Sequence, residues 1–209
     1  MIRKLQALKA KKGFTLVELM VVIAIIGVLA AILIPLMANF IISARINSHN
    51  STASSARNQM TAFLAEAQSV DAGYASRIPA IITMTVEDGR IFDVDVSDVT
   101  WEGNVDRVIA RLVPDDPDIT RPTDWKDLMD WYMNENMPDA AVDSQFYLVI
   151  ANNAAHVSLY SASELPDLDD YVTGDTINTL AIIGLEGNRN ENNIVVGFSP
   201  QNRLDEASS

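Results

Sequence analysis

Twenty consecutive residues, Leu19 through Ala38, carry no ionisable side chain. In a helix rising 1.5 Å per residue such a run spans about 30 Å, the thickness of a bilayer's hydrocarbon core. Residues 1–13 hold five bases (Arg3, Lys4, Lys9, Lys11, Lys12) and no acid. Cations kept on the cytoplasmic side orient such a span with its N-terminus inside and the bulk of the chain outside. Glu18 stands at the border of the run. A carboxylate there is costly in lipid unless something pairs with it, which marks it as a functional residue.

A secretory signal peptide would place a small-residue cleavage site after the apolar region. Here Ala30-Ala31 lies inside a run that continues through Ile42, and the glycine Gly13 precedes the run at its charged border. Cutting after Gly13 leaves the whole apolar helix on the mature chain. The stretch Gly13-Phe14-Thr15-Leu16-Val17-Glu18 resembles the prepilin-peptidase site, a class III signal, of bacterial type IV pilins and type II secretion pseudopilins. Glu18 is the fifth residue counted from Phe14, Gly27 the fourteenth and Pro35 the twenty-second. The close match covers about the first 40 residues.

The resemblance implies cleavage between Gly13 and Phe14, methylation of the new amine on Phe14, and a part for Glu18 in filament assembly. It implies Gly27 and Pro35 as helix-softening positions. Pro35 has no backbone N–H to offer the carbonyl of Ala31, so that turn is the easiest place to bend. The implied partners are other copies of the chain in a helical homopolymer, a prepilin peptidase, an assembly ATPase, a platform protein and the membrane. The implied localisation is a single-pass precursor in the cytoplasmic membrane, then a pilus on the cell surface. The function expected is that of a structural pilus subunit rather than an enzyme. A pseudopilin and a membrane-anchored binding module stand as alternatives.

Charge agrees with export. The chain has 28 acids and 15 bases, and loss of residues 1–13 leaves 10 bases against those 28 acids. Residues 87–143 alone hold 16 acids and 5 bases. Such a surface repels polyphosphate, which disfavours nucleic acid as a partner. Cysteine is absent. The domain has no disulfide, in contrast to the C-terminal disulfide loop of many Gram-negative pilins, and relies on its core, subunit packing or a metal. After Lys12 the only lysine is Lys126, which argues against a pilus cross-linked through lysines.

The expected fold is α+β and pilin-like: a long N-terminal helix packed on a C-terminal antiparallel sheet. The expected division is a leader at 1–13, a membrane and filament-core helix at 14–42, and a globular domain at 43–209. The helix is read from about Phe14 to about Val70. Ala53, Ala56, Met60, Phe63, Leu64 and Ala67 form its inward stripe, Asn50, Ser51, Arg57, Asn58, Thr61 and Gln68 its polar face, and Asp71-Ala72-Gly73 its stop. Strands are expected at 80–86 and 91–96 around the turn Asp88-Gly89, then at 145–151, 157–161, 179–185 and 193–199, with a turn at Asn152-Asn153. In the second strand Phe92, Val94 and Val96 read as the dry face. Helices are expected at 105–113 and 124–134, the latter with Thr123 as N-cap and Trp125, Leu128, Met129 and Tyr132 on one face.

Catalytic chemistry finds few residues. The two histidines, His49 and His156, read as packing or surface residues, and no serine sits in a nucleophile elbow. Trp125, Trp131 and Tyr132 are spaced for core packing, with a carbohydrate or partner platform as the other reading. Asp167, Asp169, Asp170 and Asp175 are the calcium candidates, since calcium takes six to eight oxygens. They depart from the EF-hand pattern: Val172 occupies the turn-glycine position and Asn178 that of the bidentate glutamate. Asp115, Asp116 and Asp118 form a second candidate. For both groups a solvated turn is the alternative. No other cofactor is expected. Asn50-Ser51-Thr52 spells an N-glycosylation sequon, a signal bacteria seldom read.

Overall fold

The computed structural model describes residues 14–96, 99–137, 144–163, 172–173, 181–182, 189 and 194–200. The chain divides into two compact units, Met1–Ala44 and Arg45–Ser209. Helix α1, Leu16–Gln68, begins in the first and ends in the second. In the first unit its large apolar side chains are exposed from Leu16 to Ile41, and the helix continues through Pro35.

In the second unit α1 buries Ala53, Ala56, Met60, Phe63, Leu64 and Ala67, the stripe set by steps of three and four. Asn50 is buried as well, a correction to its reading as part of the polar face. Its Oδ1 accepts a hydrogen bond from the Phe198 N–H at 3.1 Å, so the sequon asparagine is a packing residue. The helix ends in a Schellman motif: the Ala72 N–H bonds the Ala67 carbonyl at 3.0 Å and the Asp71 N–H that of Gln68 at 3.1 Å. The left-handed residue of this cap is Asp71, with φ of 57°.

Strands β1 (Ala80–Glu87), β2 (Arg90–Asp95), β3 (Ser144–Ala151), β4 (Ala154–Ser161) and β7 (Val196–Ser199) form one sheet in the order β2-β1-β3-β4-β7. All its pairings are antiparallel. Two-residue strands β5 (Val172–Thr173) and β6 (Ala181–Ile182) pair separately. Both tight hairpins turn through left-handed residues, Asp88 with Gly89 and Asn152 with Asn153. Positive φ at both central positions matches the twist of the flanking strands.

The alternation expected in β2 is broken. Its register passes from Val86↔Ile91 to Thr85↔Asp93, leaving one β2 residue without a partner on β1. A bulge of this kind shifts the facing of the residues on either side, and Ile91 is buried together with Val94. The expected strand at 179–185 is described only at β6, and Asn193 lies outside the described residues.

Helices α2 (Val105–Leu112) and α3 (Trp125–Asn136) fill the segment between β2 and β3. The N-cap of α3 is Asp124, a correction to Thr123: the Asp124 carboxylate accepts the Asp127 N–H at 2.8 Å. Thr123 instead donates its hydroxyl to Asp127 Oδ2 at 2.9 Å. Side chains from α1, β1, β2, β3, α2 and α3 join in one core. Phe63 is its centre, 5.2 Å from Tyr132 and 6.4 Å from both Trp101 and Trp125. Trp101 and Trp125 stack at 4.7 Å, so the tryptophan group serves packing. A smaller apolar cluster joins Val149, Val157, Leu159, Val196 and Phe198.

Edge strand β2 is held from α3. The Asn134 amide accepts the Ile91 N–H at 2.9 Å and donates to the Ile91 carbonyl at 3.0 Å, pairing that residue as a further strand does. Lys126 bridges Asp93 of β2 at 2.8 Å and Asp130 of its own helix at 3.3 Å. Covering an edge in this way protects it against pairing with other chains.

Candidate processing and assembly site

Phe14 is the first described residue, and its side chain is exposed; Gly13 lies outside the described residues. One turn on, Glu18 folds back over the start of α1. Its Oε2 accepts the Thr15 backbone N–H and the Thr15 hydroxyl, each at 2.8 Å. The Thr15 Oγ1 in turn accepts the Glu18 N–H at 3.2 Å. This is a reciprocal capping box: the first amides of a helix lack partners within it, and Thr15 and Glu18 supply them to each other. The carboxylate is thus aimed toward the chain's N-terminal side, with negative charge at the positive end of the helix dipole.

Thr15 is the residue that sequence reasoning passed over. The signal was present, since Thr15-Leu16-Val17-Glu18 is the capping-box pattern followed by an apolar run.

Beyond Glu18 the helix presents apolar surface on every side. Leu19, Val21, Val22, Ile25, Ile26 and Leu29 are among the side chains about half or more exposed. A helix apolar all round is stable only inside lipid or protein. An added Cβ on Gly27 meets no atom within 4 Å. Pro35, two turns on, leaves one carbonyl of the ladder without its amide.

The calcium candidates Asp167, Asp169, Asp170 and Asp175 all lie outside the described residues. In the second group Asp116 Oδ1 accepts the Asp118 N–H at 2.9 Å, and Asp115 faces Arg121 at 3.7 Å. These contacts make a hydrogen-bonded turn. Among the described residues, no group of three or more Asp, Glu, His or Cys is gathered to hold a metal.

Residues 8–34 match the family model described as the prokaryotic N-terminal methylation motif. The chain is 55% identical over 40 residues to a fimbrial protein of Moraxella nonliquefaciens, covering 19% of this chain and 26% of that one. It is 62% identical over 37 residues to the fimbrial protein EcpB of Eikenella corrodens, covering 18% and 23%. A longer match, 32% identical over 110 residues, joins it to the type IV major fimbrial protein FimA of Dichelobacter nodosus, covering 51% of this chain and 61% of FimA. The chain thus spans about a quarter of the length of the first two relatives. No solved structure matches it significantly. The motif, the exposed apolar helix and the α+β architecture agree with these names, and the N-terminal segment carries the prokaryotic methylation motif and is similar to those of type IV fimbrial proteins.

Proposed function

We propose that this chain is a structural subunit of an extracellular type IV pilus. In this reading the precursor sits in the cytoplasmic membrane with its N-terminus inside. A prepilin peptidase cuts between Gly13 and Phe14, the Phe14 amine is methylated, and the helix from Phe14 to Met37 polymerises with other copies. Residues 43–209 form the globular domain on the outside. Extension draws on an assembly ATPase and a platform protein. The act is polymerisation, with no reaction of its own.

The observation that carries this reading is the junction of three features: the methylation motif, a carboxylate at Glu18 and an exposed apolar helix directly after it. A plain anchor needs only the third. Gly27 and Pro35 serve in this reading as places where the helix lengthens under packing or tension, since each weakens its own turn. The pseudopilin reading shares the same N-terminal features.

Deletion separates the readings. Loss of surface filaments with secretion intact is the expected result. Loss of enzyme secretion with filaments intact assigns the chain to a secretion machine. Retention of both makes it an anchored module.

A further inference from the structure

The loop 74–79, between the end of α1 and the start of β1, is tied down along its length. The Tyr74 N–H donates to Asn153 Oδ1 at 2.6 Å, and the Asn153 N–H to the Tyr74 carbonyl at 2.7 Å. The Asn152 N–H donates to the Ser76 carbonyl at 2.7 Å. The Ser76 hydroxyl accepts the Ile78 N–H at 3.1 Å, and the Tyr74 hydroxyl donates to the Ile78 carbonyl at 2.8 Å. Ile78 is nevertheless 72% exposed, the one large apolar side chain so placed among the described side chains of the second unit. Beside it Arg77 is exposed and makes no salt bridge among the described residues. A single exposed isoleucine is ordinary on a protein surface. One fixed by these five hydrogen bonds, next to an unpaired cation, is a knob preorganised for a partner.

The other end of the same strands carries a cleft of about 420 Å³. Val86 and Ala162 line it with apolar surface, and Thr85, Gln145 and Ser163 with hydroxyl and amide groups. Glu87 adds a carboxylate that makes no salt bridge among the described residues. Ile78 lies just before β1 and Glu87 ends it, so a rise of about 3.4 Å per residue separates the two by at least ~24 Å. Strand β3 repeats the arrangement: Gln145 stands at its start, and Asn152, which holds the loop, follows its last residue. Knob and cleft thus lie at opposite ends of one sheet and do not meet within one chain.

We propose that the knob of one copy seats in the cleft of the next, Ile78 against Val86 and Ala162 and Arg77 on Glu87. This rests on the pilus reading above and adds to it a place where the globular domains touch. A second copy is the occupant because one chain carries both complementary halves, apolar surface for apolar surface and a carboxylate for the cation. Different surfaces at opposite ends make a heterologous contact, which repeats head to tail and builds an open filament. One knob buries less surface than a stable interface needs by itself. In the pilus reading the apolar helices supply the association. Once they hold two copies together the knob acts at high effective concentration, and a weak contact suffices to fix the register of the domains.

Disulfide trapping tests the contact without background, since the chain has no cysteine of its own. The full chain with Ile78→Cys and Ala162→Cys, mildly oxidised in filaments sheared from cells, is expected to give a ladder of dimers, trimers and longer species. Each single substitution is expected to stay monomeric. Filaments of the doubly substituted chain that yield monomer alone overturn the contact and leave the pilus reading standing. A cross-link to a protein of another mass also overturns it. Should the doubly substituted chain build no filaments, charge exchange decides. Arg77→Glu is expected to cut filament yield several-fold, and Arg77→Glu with Glu87→Arg to restore it; an unaffected yield or a lack of restoration overturns the contact. Should the native chain itself build no filaments, the pilus reading falls, and the cysteine pair is trapped in cell membranes instead. A covalent dimer there supports the contact, and monomer alone overturns it.

Discussion

Replacing Glu18 with valine is expected to leave membrane insertion intact and to abolish filaments. Once cleaved, Phe14 carries an amine that is positive near neutral pH, with an ordinary value of about 7.7–8.0. That cation and the Glu18 carboxylate both lie where water gives way to apolar surface. Isolated charges are costly there and a pair much less so, although desolvation offsets part of the attraction. In the proposed reading, a neighbouring subunit that brings its amine to Glu18 couples neutralisation to entry into the filament. An intramolecular pair, about one turn apart, is the competitor.

The capping box sharpens this test, because Glu18 also holds Thr15. Glu18→Gln keeps an oxygen to accept the Thr15 N–H and removes the charge. If charge drives assembly, Glu18→Gln fails as Glu18→Val does, while Thr15→Val lowers filament yield without ending it. Filament counts by electron microscopy, with cleavage checked by mass, give the ranking. Normal yield from cleaved Glu18→Val contradicts the assembly role.

The second large effect is at Phe63, fully buried among Tyr132, Trp101 and Trp125. Truncating a buried phenylalanine to alanine costs about 3–5 kcal/mol. Domains of this kind are stable by about 5–15 kcal/mol in all. No disulfide limits the unfolded chain. Phe63→Ala is therefore expected to melt the globular unit at much lower temperature, with early loss of the near-ultraviolet dichroism of the Trp101–Trp125 stack. Thermal melts of the full chain in detergent measure it. A destabilisation below about 1 kcal/mol would falsify the placement of Phe63 at the core's centre.

Local pattern made much of this legible in the sequence. The buried stripe of α1 follows from apolar residues at steps of three and four, and the hairpin at Asp88-Gly89 from turn chemistry alone. The rest depends on residues far apart in the chain. The bulge that turns Ile91 inward is fixed by pairing with β1, and Asn134 caps Ile91 from 43 positions away. Asn50 reads as polar surface until β7 arrives beside it from 148 positions away. Strand order has the same origin, since alternation states which face is dry and not which strand lies next. At the N-terminus the motif residues were legible, and the Thr15–Glu18 bond was legible as a pattern. The neighbouring-subunit contact proposed for Glu18 involves a second chain, which no single sequence describes.

The central claim, a cleaved subunit in a surface filament, is tested most directly by mass spectrometry of filaments sheared from the cell surface. The expected subunit begins at Phe14, lacks the 13-residue leader and is heavier by one methyl group on its amine. A polymerised chain that still begins at Met1, or filaments that lack this chain, contradicts the account.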